Sequence, residues 1–329
     1  MLTLAVASCS RAGKKVELFH ENGRVKCRGW LVEDKRDGAW TQWFPNGNRE
    51  LEGEFHGGVQ QGPWTEWHEN GRKSLEGAYE SGLRTGTWRT WRESGPLESE
   101  EEWRAGKLDG ISKKYDRDGA LVESGRCRAD LREGAWSEWY PSGRRRFEGI
   151  YAAGVRQGEW TSWYETGEVQ SRGAFAADLR DGEWSELYRN GQPRRTGRWS
   201  AGRMDGRWTE WYENGKKLSE GEYAGDAQQG EWTKWREDGS VESKMPFTAG
   251  TLDGLAQKWH ADGHLLWEAR YVQGKREGAS VEYHANGRRR AEGSYQDDRM
   301  EGRWSCWLEN GEVDAVRSGT YRQGERVGD

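Results

Sequence analysis

The chain has little of what usually builds a core or ties one together. Its 329 residues include 6 Pro, 4 Cys and 4 Met, and Leu, Ile, Val and Phe together make up under a fifth. Mean hydropathy is −1.15. No run of about 18 apolar residues exists, so no helix of the sequence is suited to cross a membrane. The net charge is −5 with a pI near 5.9, which leaves no general footprint for nucleic acid. The local clusters Arg144-Arg145-Arg146 and Arg288-Arg289-Arg290 follow glycines and read as solvated tips. So few aliphatics would suggest disorder, but the low net charge does not fit that class.

What the chain does have is 22 Trp, 12 Tyr and 47 Gly. One buried aromatic removes about 150–250 Å² from water, so rings can supply the burial that aliphatics do not. The glycines are strictly periodic. Gly23, Gly47, Gly71 and their successors to Gly311 recur every 24 residues, and a second series runs from Gly38 to Gly302 with the same step. A period this short marks a repeat array. It fills the chain from about Phe19 to Asp329 and leaves no room for a separate domain.

Asn-Gly, Asp-Gly, Ser-Gly and Thr-Gly at the first series are signals for two-residue type I′ hairpins, whose central residues need positive φ. Placing Thr166-Gly167 in such a turn sets Tyr164 opposite Val169 and Trp160 opposite Gly173. At the other connection a four-residue loop would set Phe175 opposite Trp184. Trp160, Tyr164, Phe175 and Trp184 then share one face, because side chains alternate along a strand. Each Trp of this row would lie over the cross-strand glycine, Trp160 over Gly173 and Trp184 over Gly197. A helix is excluded by the spacing of apolar residues and by paired glycines that cost it about 1 kcal/mol each. The expected fold is all-β: an elongated single-layer antiparallel sheet of tandem hairpins, twisted into a ribbon or solenoid. The pattern weakens at 96–130, where Glu101 and Ser112 replace Gly and Trp, and at 241–285, where Met245, Ala256, Ala269 and Ser280 do. Eight residues separate Gly311 from Gly319 instead of six, which implies a bulge or an irregular capping repeat.

The stretches "GEWTSWYETGEVQSRGAFAADLRDGEW" and "GRWTEWYENGKKLSEGEYAGDAQQGEW" (206–232) resemble the bacterial variant of the MORN (membrane occupation and recognition nexus) repeat. The resemblance covers roughly 19–329 and implies an array of β-hairpins. Bacterial proteins with this repeat are grouped with the YwqK-like antitoxin family, so it also implies an antitoxin or immunity protein that neutralises a partner toxin by direct binding. Relatives with the repeat in eukaryotes imply scaffolding or membrane association. The module carries no catalytic residue.

The residues themselves agree with a non-enzyme. "HENGR" at 20–24 and 68–72 lacks the second histidine of a zinc helix, and "YDRDG" (115–119) lacks the first carboxylate of a calcium loop. His260 and His264 flank a turn and read as solvated rather than as metal ligands. No cofactor or metal is expected. Cys127 takes the place of Phe175 in its own repeat and reads as a small buried hydrophobe. Cys27 and Cys127 lie four repeats apart, roughly 38 Å at sheet spacing, against the ~7 Å a disulfide spans. Cys9 ends "MLTLAVASC", which resembles the tail of a lipoprotein signal. It is the candidate lipidation site, with residues 1–9 as a clipped signal and 10–18 as a tether. A short disordered N-terminus is the alternative.

A second aromatic row, Trp43, Trp67, Trp91, Trp139, Trp163, Trp211, Trp235 and Trp307, has odd parity and belongs on the opposite face. Either long polar stems cover these indoles, or part of the row stays open and binds a partner. The expected function is a non-enzymatic scaffold that binds a protein, at the cell envelope if Cys9 carries lipid and otherwise in the cytoplasm. Binding of glycans or of a membrane surface is a further reading. A monomer is expected.

Overall fold

The computed structural model describes residues 13–329, and every regular element among them is a β-strand. Packing divides the chain into two units, one ending at Gln157 and the other beginning at Gly158. Within each, the extensive contacts join strands that are consecutive or nearly so in the chain, and they pair antiparallel. The first strand, Lys14–Phe19, begins inside the stretch read from sequence as a tether. It pairs with Val25–Val32.

Each repeat turns twice, and the two turns exchange the roles expected of them. At the Thr166-Gly167 end, Gly167 N–H donates to Tyr164 O and Tyr164 N–H donates to Glu168 O, both at 2.9 Å. Gly167 alone has positive φ (109°) there. This is a type I turn closed by a glycine bulge, because Thr166 carries a Cβ and stays out of the left-handed region. The register shifts between Ser162 and Trp163, so Trp163 and not Tyr164 faces Val169. Trp160 still faces Gly173, as expected. The two-residue type I′ turn lies at the other end, at Ala177 (φ 49°) and Asp178 (φ 67°), with Ala176 paired to Leu179. The expected four-residue loop is therefore absent, and Phe175 faces Arg180 instead of Trp184. The surplus residues are taken up in a bulge at Gly182, where the register shifts between Gly173 and Ala174.

That bulge decides where the indole lies. A Cβ on Gly173 would sit 2.3 Å from Cδ2 of Trp184, so the seat at Gly173 belongs to Trp184 and not to Trp160. Gly29, Gly53, Gly77, Gly125, Gly197, Gly221 and Gly293 likewise lie under Trp40, Trp64, Trp88, Trp136, Trp208, Trp232 and Trp304. The expected direction is thus reversed: Trp184 faces Gly197 in the ladder, but its ring leans back over Gly173. At the register shift the Ala174 carbonyl accepts a 2.9 Å bond from Trp184 Nε1. The same bond, ten residues back, joins Trp136 to Arg126 O and Trp208 to Arg198 O. On the continuous side of the strand the ladder itself takes the carbonyls, so the indole N–H has nothing to bond there.

The row is filled between indoles by edge-on rings. Trp160, Phe175 and Trp184 stand 5.9 and 5.1 Å apart, near perpendicular. In the first unit Trp40, Phe55, Trp64 and Trp88 form a buried cluster with Cys27. Where the pattern weakens, the ladder keeps its pairing but the seats change their contents. Glu101 faces Ser112, Met245 faces Trp232, and Ala269 faces Ala256 on one side and Ser280 on the other. Ala256, Ala269, Ser112 and Ser280 are all buried. At the C-terminus Gly319 still faces Trp304, and the extra residues form a loop closed by Asp314 N–H to Cys306 O. The irregularity expected from the spacing is thus present as this loop.

Candidate interaction surface

All eight members of the second tryptophan row, Trp43 through Trp307, are half-buried: none joins the core and none is fully open. Long basic stems reach four of them from a strand nearer the N-terminus. Arg28 lies 5.7 Å from the Trp43 ring centre, Arg49 5.8 Å from Trp67, Lys73 5.9 Å from Trp91 and Lys217 5.6 Å from Trp235. These cations do two jobs, since Arg49, Lys73 and Lys217 also pair with Glu52, Glu76 and Glu220 three residues on. Burial pushes Glu220 up, but hydrogen bonds from Lys217 and Arg207 prevail and leave its carboxyl below the ordinary range. At these positions the row sits under long, charge-paired stems.

The backbone beneath it is held from repeat to repeat. His20 Nε2 meets Trp43 O at 2.7 Å, and His68 Nε2 meets Trp91 O at 2.8 Å. Tyr188 and Tyr212 hydroxyls donate to the carbonyls of Trp211 and Trp235. His260 makes the equivalent contact with Tyr283 O, so it is structural rather than merely solvated, whereas His264 is exposed as expected, 3.3 Å from Asp262 of its own turn. Asn190 Oδ1 accepts from Gln192 N–H while its Nδ2 donates to Glu213 O, one repeat further on. The turn asparagines thus cap their own turn and fasten the next, a role that sequence spacing implies only once the turns are known to stack.

At the opposite end, acidic and amide side chains hold the type I′ turns. Ala201 and Ala249, both with positive φ, donate their N–H groups to Asp181 and to Gln229. Leu131 and Leu179 lie over the glycines of the following turns, Gly154 and Gly202, and remain about half exposed. Sequence reading missed this aliphatic edge, although its members recur at the 24-residue step.

On the core face, guanidinium groups close the outer side of the indoles. Arg36, Arg84, Arg132 and Arg180 stand 4.4, 4.3, 4.2 and 4.4 Å over Trp40, Trp88, Trp136 and Trp184. Each also reaches a second ring, Phe55, Trp103, Tyr151 or Trp199.

Cys27, Cys127 and Cys306 are buried free thiols. Burial raises the Cys127 and Cys306 thiols, which holds them protonated and poor as nucleophiles. Among the described residues no group of three His, Cys, Asp or Glu side chains is placed to hold a metal. Glu138, which faces Glu123 across the ladder on the side of Trp136, is pushed up by burial and by the Glu123 charge. Cys9 lies outside the described residues.

Against known families, the MORN repeat variant matches at residues 36–56, 156–176 and 204–224. These three stretches fall within the hairpin array described above and support its reading as a repeat protein of the MORN type. A search of curated proteins found no match. Among solved structures, the chain overlays on TcdB2-TccC3 at 9% identity and a TM-score of 0.18, covering 95% of this chain and 18% of that one. It overlays on the Photorhabdus luminescens Tc holotoxin pore at 11% identity and a TM-score of 0.18, covering 96% and 22%. The chain spans about a fifth of the length of those proteins, and overlap of this quality carries no functional meaning.

Proposed function

We propose that the array is a non-enzymatic scaffold that binds a protein partner through the second tryptophan row. The observation that supports this is the half-burial of all eight indoles, with Trp43, Trp67, Trp91 and Trp235 beneath Arg or Lys stems. A core seat is complete without them where it holds its indole: Trp184 fills its seat on Gly173 and bonds Ala174 O. A cover of flexible, salt-paired stems can be displaced at small cost, since exposed pairs are worth about 0–1 kcal/mol. Displacement would uncover indoles, the residue type most enriched at interface hot spots. The test is to change Trp211 and Trp235 together to Ser, then compare partner capture with the urea melting curve. Lost capture at unchanged stability supports the reading. A variant that melts early, with capture unaltered once folded, overturns it.

The partner's identity decides between an envelope protein and a toxin, and mass spectrometry of captured material reads it directly. An envelope location rests on Cys9. Lipid on Cys9 of the native protein supports it, and an intact Met1 refutes it.

A further inference from the structure

One tryptophan of the core row is left open. Trp40, Trp64, Trp88, Trp136, Trp160, Trp184, Trp208 and Trp304 are all buried, whereas Trp232 is only partly so. Its inner face is seated normally: a Cβ on Gly221 would meet its ring at 2.2 Å, and its Nε1 bonds Glu222 O at 3.1 Å. The outer face has lost both of its usual covers. The arginine that stands four residues before Trp40, Trp88, Trp136 and Trp184 is here Gln228, and the seat one repeat further on holds Ala256 in place of an indole. Among the described residues no cation stands over Trp232. Losing one cover is not enough: Gln60 precedes Trp64 in the same way, yet that ring is buried, with Tyr79 edge-on to it and the next seat filled by Trp88.

The space left is a cavity of about 450 Å³, bounded by Tyr223, Gln228, Trp232, Met245 and Phe247 with Glu210 at its polar side. Phe247 stands fifteen residues after Trp232, as Phe55, Tyr151 and Trp199 stand after Trp40, Trp136 and Trp184. Those are the second rings that each intrachain guanidinium touches. The two walls of a guanidinium slot are thus present and the guanidinium is not.

We propose that this slot takes an arginine side chain from the protein partner, so that the partner supplies the cation the repeat omits. The inference rests on the reading above that the array binds a protein, and adds a contact on the core face, opposite the second tryptophan row. A guanidinium is favoured because its flat, weakly hydrated face suits stacking between rings. The neighbouring charges are already matched. Glu210 lies 3.5 Å from Arg195 and accepts from Ser219, and Lys234 pairs with Glu242 at 3.3 Å. The slot therefore recognises the cation through its rings, with Glu210 and the already paired Lys234 both lining the same cavity.

The experiment labels the full chain with 5-fluorotryptophan and assigns the Trp232 signal by Trp232→Phe. N-acetyl-arginine amide is then titrated against its neutral isostere, N-acetyl-citrulline amide, and against methyl glucoside. The expected result is a saturable shift of the Trp232 signal with arginine, favoured over citrulline by about three- to thirty-fold. Gln228→Arg should fill the slot from within, move the Trp232 signal without ligand and abolish the response. Equal response to citrulline, a response to the sugar instead, or an unchanged response in Gln228→Arg would overturn the proposal. Partner capture separates the two readings. A partner that binds Gln228→Arg as well as the parent leaves the tryptophan-row scaffold standing and removes this slot from it.

Discussion

Two places in the second unit show what the glycine and the indole each contribute. At Gly173 and Trp184 the backbone is bare, the ring lies on it, and Arg180 closes the outer side. At Ala269 and Ser280 the ladder pairing and the Gly278 position are retained, but a methyl group and a hydroxyl occupy the seat. Ala269 and Ser280 are nonetheless buried, and Ser280 Oγ bonds Glu268 O at 3.3 Å. The hydroxyl thus answers a backbone carbonyl from the same strand region that an indole N–H serves elsewhere. The hairpin is set by its turns and bulge, which survive the exchange. The indole adds burial and a bond to a scaffold already in register.

The largest effect should come from emptying a complete seat. Trp184→Ala is expected to destabilise its hairpins by about 3–5 kcal/mol, read from urea unfolding. Gly173→Val should be comparably harmful, since its Cβ would overlap the ring. If Trp184→Ala costs no more than Ser280→Ala, the two places do not differ in the way described. The next test rebuilds the missing seat. Ser280→Trp alone should destabilise, because the Ala269 methyl blocks the ring. Paired with Ala269→Gly it should recover at least the parent stability, giving a favourable coupling of about 0.5–3 kcal/mol in a double-mutant cycle. Additive effects would mean the glycine is not the reason for the seat.

A smaller effect is expected at the fastening of consecutive turns. Asn190→Ala removes both the cap on Gln192 and the bond to Glu213 O, at a cost of about 1 kcal/mol in urea unfolding. The smallest concerns Glu138. Its folded-state pKa is raised, so ionisation costs stability as pH rises through the carboxylate range. Glu138→Gln should melt slightly above the parent at pH 7, and the difference should vanish in acid once the parent carboxyl is protonated. A difference that grows in acid would reverse the sign assigned to its surroundings.

Much of this was legible in the chain. The 24-residue step of Gly23 to Gly311 requires a repeat, and Trp-x-x-Trp with paired glycines requires strands, because period two and bare backbone suit no helix. The pairing of Trp160 with Gly173 followed from turn placement, although the turn there is type I with a bulge. The bulge near the strand end shifts Trp163 without disturbing pairs further along, which is why a wrong turn type gave the right partner. Turn type itself was not legible: Asn-Gly fits both geometries, and Ala177 with positive φ contradicts local preference. Turns of this kind are held by groups twenty residues away, as Asp181 holds Ala201.

The parity of the second tryptophan row was likewise readable, but its half-burial depends on where Arg28, Arg49 and Lys73 lay their stems. The direction in which each core indole leans depends on a carbonyl at the register shift. The opening at Trp232 depends on two substitutions in different strands acting on one ring. By itself, then, the sequence determined the period, the strand class and the pairing of Trp with Gly, since these follow from local sterics repeated along the chain. Only the tertiary structure decided which glycine each indole covers and which indole stays open, because those depend on hydrogen bonds and ring contacts between strands.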